Sequence, residues 1–144
     1  MAIPSHNNHD ASIDPTREQV RNLRDNGRDG PVVMMNLLKF RDTANYPADA
    51  GMAPCSGKEA YDRYQHAFTV AVGAVSQAEV LYDGPCEQVF IGQPGTDAAE
   101  WDKLLLVRYP TRQHFLNMMA DTSYRDALVH RYAGLERTLL IQCG

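Results

Sequence analysis

Three polar insertions interrupt otherwise apolar runs in this chain: Asn36 in "VVMMNLLKFR", Asp102 and Arg108 in "AEWDKLLLVRYP", and His130 with Arg131 in "ALVHRYAGLE". A carboxamide left unpaired in a protein interior costs about 1–3 kcal/mol, so Asn36 must meet a neighbouring side chain, water or a ligand. Arg108 carries a planar fork able to orient a carboxylate or an enolate. The imidazole of His130 titrates near neutrality and could move a proton. Together these residues suggest a catalytic set, with Asn36 and Arg108 polarising an oxygen and His130 or a tyrosine handling the proton. Each also has a structural alternative: a hydrogen bond to the next strand for Asn36, a salt bridge to Glu79 or Glu87 for Arg108, a surface position for His130.

The ligand-binding candidates are Trp101, Asp102, Tyr61 and Tyr64. Strand alternation places Asp102, Leu104, Leu106 and Arg108 on one face and Trp101 on the other. Tyr61 and Tyr64 belong to a helical apolar stripe, where packing is the alternative, but a buried hydroxyl still wants a partner. His66 falls off that stripe.

Other patterns lead nowhere. "GMAPCSGKE" resembles a phosphate loop, but five residues separate Gly51 from Gly57 and Glu59 stands where a Ser or Thr is required. "HNNHD" offers imidazoles and a carboxylate on a segment without a rigid frame. No G-x-S-x-G elbow occurs, and no Cys, His and Asp set has zinc-site spacing. The expectation is no metal and no cofactor.

The elements that position these residues follow from composition and period. With 144 residues, 44% hydrophobic and 22% charged, the chain suits one globular domain. A net charge of −4 without a basic run argues against nucleic acid. No apolar run reaches the length of a membrane span, and the N-terminus lacks the features of a secretory signal. Three cysteines without CxxC spacing read as reduced thiols, which points to the cytoplasm.

Residues 1–12 are polar and lack periodicity, predicting a mobile tail before a single domain over 13–144. Asp14 and Pro15 open a short surface helix that Gly27 ends as a left-handed terminator. Val32 to about Phe40 predicts a strand, and 41–55 a long loop able to act as a lid. Ser56 and Glu59 form a capping box, and Tyr61, Tyr64, Phe68, Ala71, Val72 and Val75 form the stripe of the helix behind it. "AEVLYDG" and "EQVFIGQ" should pair as a hairpin across Gly84-Pro85. "WDKLLLVRY" predicts a strand, Thr111 and Asp121 cap two helices, and "RTLLIQC" closes the chain. The order is βαββαβ, a ferredoxin-like α+β fold with an antiparallel sheet and an extra N-terminal helix. "VVMM" and "LLLV" do not alternate, so both sheet faces want cover. A second copy of the sheet, in a homodimer, is the simplest source.

"GPVVMMNLLKFR", "SGKEAYDRY" and "WDKLLLVRYPTRQHFLNMMADTSYRDALVHRYAGLE", in that order, resemble the longer form of domain-of-unknown-function family 1330 over residues 30–141. The resemblance implies a ferredoxin-like protomer that forms a dimeric α+β barrel, with no assigned reaction. The wider superfamily includes cofactorless monooxygenases, isomerases and haem enzymes, with pockets between sheet and helices. For haem, His130 is the sole reasonable axial ligand here. These implications give a cofactorless enzyme, isomerase- or monooxygenase-like, acting on a hydrophobic organic acid or carbonyl compound. The alternative is a non-catalytic ligand-binding or structural homodimer.

Overall fold

Apolar β-branched and long aliphatic residues from Val32 to Phe40 form the central strand β1, flanked on both sides by partners. The computed structural model describes residues 10–144. In chain order the elements are α1 (Arg17–Asn26), β1 (Val32–Phe40), α2 (Gly57–Ala71), the short α3 (Gly73–Ser76) and β2 (Glu79–Pro85). They continue with β3 (Lys103–Tyr109), α4 (Arg112–Ala120), α5 (Thr122–Gly134) and β4 (Leu135–Cys143). The four strands run β2-β3-β1-β4, and every neighbouring pair is antiparallel. This is the expected ferredoxin-like order with α1 added in front.

The barrel is not formed. The sheet is open, with β2 and β4 as its two edges, and it does not curl to bring them together. Closure into a barrel is what the family resemblance implied; the non-alternating apolar runs asked only for cover on both faces, and one face is left without helices. On the helix side Val32, Met34 and Leu38 of β1 meet Leu105, Val107 and Tyr109 of β3, all buried. Burying a side chain of this size contributes about 1.5–3 kcal/mol, so this face carries much of the stability. On the other side Leu139 and Ile141 stand opposite Leu37 and Met35, and both are more than 40% exposed.

The expected hairpin partner "EQVFIGQ" is not a strand. Phe90 and Ile91 lie 90% and 89% exposed in the long connection from Cys86 to Asp102. The apolar run of β3 takes the place beside β2 and has β1 on its other side, burying far more than "EQVFIGQ" could.

Local signals explain most helix ends. Thr111 and Asp121 cap α4 and α5 by accepting His114 N–H and Ser123 N–H. Ser56 accepts Glu59 N–H at 3.1 Å, while the Glu59 carboxylate meets the Ser56 hydroxyl rather than completing the box on its backbone. At α1 the cap is Thr16, not Asp14: Thr16 and Gln19 form a reciprocal capping box, and Gly27 ends the helix in extended backbone, not left-handed. Of the expected tail, residues 1–9 lie outside the described residues, and with them most of "HNNHD". Ile13 is buried, and Ser12 accepts the Thr138 N–H of edge strand β4.

Two helices approach closely where each has a glycine. A Cβ on Gly134 would sit 2.5 Å from the Gly57 carbonyl oxygen and 2.9 Å from Tyr61 N. Arg41 is threaded between them, its N–H donating to Gly134 O and its carbonyl accepting Gly57 N–H. That clamp fixes the start of the 41–55 segment against α2 and α5.

Candidate functional site

A cavity of about 330 Å³ opens between the helix side of the sheet and the helices. Met34 of β1, Leu140 and Gln142 of β4, Phe115 and Met119 of α4, and Leu128 of α5 form its walls. The extra helix α1 roofs it with Val20 and Leu23. Its volume falls at the lower end of the range for organic ligands.

Asp14 and Arg131 supply the charge in this apolar space, with Arg131 Nη1 3.6 Å from Asp14 Oδ1. Their side chains are only 13% and 6% exposed for Arg131 and Asp14 respectively. The separation is too long for a hydrogen bond. The Arg131 guanidinium lines the cavity and is held there by its ion pair with Asp14. Burial works against its charge, but Tyr124, Tyr64, Tyr61 and Asp14 outweigh this and raise its pKa. Tyr132 also lines the cavity, and burial, followed by the neighbouring Asp14 charge, pushes its hydroxyl pKa up.

Tyr61 and Tyr64 are buried beside this pair, not on the cavity wall. Their rings stand 5.2 Å apart, and Tyr64 meets Tyr124 edge-on at 6.2 Å. Desolvation raises the pKa of both hydroxyls. They form an aromatic backing for Arg131.

His130 points elsewhere. Its Nδ1 lies 2.7 Å from the Tyr46 hydroxyl, which accepts a bond from Arg63 at 3.2 Å. Arg63 also reaches Cys55 Sγ at 3.4 Å. This second cluster joins the 41–55 segment to α2 and α5. Burial, then the Arg63 charge, lowers the His130 pKa.

The remaining sequence candidates are dispersed. Asn36 donates from Nδ2 to the carbonyls of Met34 and Leu105, both at 3.2 Å, and does not line the cavity. Arg108 is exposed on the helix-free face, opposite Glu79 in register, and no ion pair joins those two among the described residues. The Asp102 carboxylate accepts Phe40 N–H at 2.8 Å and pairs with Lys39 at 3.2 Å. Both contacts lie at the β-bulge between Lys39 and Phe40, where the ladder is interrupted. Trp101 lies under the Arg137 guanidinium at 4.3 Å and donates to Ala98 O.

Asn36, Arg108 and His130 therefore do not converge. Sequence reading missed Asp14 as a site residue because Pro15 made it look like a helix cap. Arg131 carried a legible signal: it continues the buried stripe Tyr124, Ala127 and Leu128 on α5. No group of three or more His, Cys, Asp and Glu side chains that could hold a metal occurs among the described residues. Among them, no helix is long and apolar enough to cross a membrane.

The RPA0582 protein of Rhodopseudomonas palustris, itself of unknown function, is 34% identical to this chain. The match covers 91% of this chain and 94% of that one, with a TM-score of 0.79. The chain belongs to the RPA0582 family. A structure of methylated RPA0582 agrees, at 33% identity and the same TM-score over 91% and 92% of the two chains. A dimeric protein of unknown function with a ferredoxin-like fold from Bacteroides fragilis is far more distant from this RPA0582-family chain. It shows 13% identity and a TM-score of 0.49 over 78% of this chain and 94% of its own. No family model and no curated protein matches the chain.

Proposed function

We propose that this RPA0582-family protein binds an apolar small molecule in the cavity under α1 and needs no resident cofactor to hold it. One observation carries the reading: an organic-ligand-sized space of about 330 Å³ has mostly apolar walls and holds a buried charged pair, Asp14 and Arg131, too far apart to hydrogen-bond. The resemblance to domain-of-unknown-function family 1330 is compatible with this but supplies no reaction. The test is uptake of the uncharged dye Nile red, followed by its fluorescence. The wild type should bind it saturably, and Met119→Trp, which fills the cavity from a half-buried wall position, should abolish uptake without unfolding. Equal uptake by both proteins would exclude the cavity as the site.

We also propose that two copies associate through the helix-free sheet face. Leu139, Ile141 and Tyr82 are each more than 40% exposed there, and Leu37, Met35, Leu104 and Leu106 complete an apolar surface. Such surfaces on soluble chains mark association sites. Light scattering should find a dimer for the wild type and a monomer for Leu106→Glu.

A further inference from the structure

We propose that the Asp14–Arg131 pair selects an uncharged carbonyl compound and catalyses proton transfer at the carbon beside its carbonyl group. This rests on the reading of the cavity as a small-molecule site and adds a ligand class and a reaction to it.

Charge balance sets the class. Asp14 and Arg131 are buried together and neutralise one another, so an anionic guest would face the Asp14 carboxylate and a cationic guest the Arg131 guanidinium. An uncharged guest offends neither. The pair presents hydrogen-bond donors and an acceptor 3.6 Å apart at one end of an apolar space. A ketone fits this polarity: its oxygen faces Arg131 while the adjacent C–H faces Asp14. The apolar remainder occupies the space between Met34, Phe115, Met119 and Leu128.

The step needs no oxidant or co-reactant. The Asp14 carboxylate takes the proton from the adjacent carbon and becomes a carboxylic acid. The C–H electron pair forms a carbon–carbon double bond, and the carbonyl π pair moves to oxygen as an enolate. Arg131, already held in place, stabilises that developing charge without reorganisation. Return of the proton to the same carbon gives exchange, and its return further along a conjugated system gives an isomer. Tyr132, beside Asp14 on the cavity wall, can instead hand its hydroxyl proton to the enolate and recover one from the protonated Asp14, which restores both groups.

The experiment uses 2-tetralone, an apolar ketone with acidic C–H bonds, in deuterium oxide with the full chain. Proton NMR reads loss of the signal beside the carbonyl, and Nile red displacement reads binding. The expected result is displacement of the dye and exchange at least tenfold faster than in protein-free buffer. Asp14→Asn should bind 2-tetralone and exchange it at the buffer rate. If that variant fails to fold, Met119→Trp serves instead: it keeps the ion pair, excludes the ketone, and should return exchange to the buffer rate. Dye displacement without faster exchange would overturn the proton-transfer role and leave cavity binding standing. Dye binding without displacement would overturn the ligand class. Failure of the wild type to bind the dye would count against both readings. Rapid exchange that survives Met119→Trp would place the chemistry outside the cavity and overturn the proposal.

Discussion

The Tyr46 hydroxyl and His130 Nδ1 are 2.7 Å apart, and this bond fastens the 41–55 segment to the last helix. Arg63 completes the fastening by donating to the same hydroxyl. The segment is therefore tied at its middle as well as at Arg41. Replacing Tyr46 with Phe removes both side-chain bonds of that hydroxyl and should lower stability by about 1–3 kcal/mol, read from urea unfolding. It should leave Nile red uptake intact, because Tyr46 and His130 do not line the cavity.

The same cluster sets a pH dependence. Burial and Arg63 hold the folded-state pKa of His130 below the ordinary histidine value of about 6.5. Between those two values the unfolded chain binds more protons than the folded one. The contribution of His130 to stability is thus complete above the ordinary value and declines as pH falls through the interval. Arg63→Met should raise the His130 pKa in an NMR titration and narrow that decline. A pKa unchanged by the substitution would remove Arg63 as a cause.

Breaking the Asp14–Arg131 pair from one side leaves a buried charge. Arg131→Met alone should cost about 3–5 kcal/mol, by the usual penalty for an orphaned partner. The double variant Asp14→Leu with Arg131→Met should recover much of that loss. Additive costs in a double-mutant cycle would show that the two side chains are not coupled.

Asn36→Leu should cost about 1 kcal/mol, since both Nδ2 bonds go to backbone carbonyls of its own sheet. Binding in the cavity should be unaffected. A stability gain accompanied by loss of binding would reverse this assignment and restore Asn36 to the site.

Gly134→Ala should destabilise by about 1–3 kcal/mol or more, the range for overpacking. Its new methyl group would meet the Gly57 carbonyl and the backbone of Tyr61, neither of which can move independently. Thermal unfolding gives the measurement, and a neutral result would mean that α2 and α5 can separate cheaply.

Legibility in the sequence followed the range of the interaction. Ser56, Thr111 and Asp121 were readable as caps because their partners lie two or three residues away. The runs around Met34 and Leu105 were readable as strands because the core demands them. "EQVFIGQ" was misread because a strand must win a neighbour, and the stronger β3 run, further along the chain, won it. The open sheet was not legible because the barrel came with the family resemblance, and the apolar runs themselves report a need for cover without stating its geometry. In the site, Arg108 and Asn36 share neighbouring strands in sequence terms but point to opposite faces: Asn36 pairs with Leu105 and Arg108 with Val33. The Asp14–Arg131 pair depends on the whole fold bringing the chain's start to its last helix, and no local pattern announces that.

The excursion between β2 and β3 returns to its starting point: Cys86 N–H bonds Asp102 O, and Pro85 faces Lys103 across the ladder. Its length is consequently decoupled from strand register. Related chains can carry a shorter or longer insert here with the same core, since loop closure changes only logarithmically with residue number. Such an insert offers a natural graft point for a tag or a reporter domain.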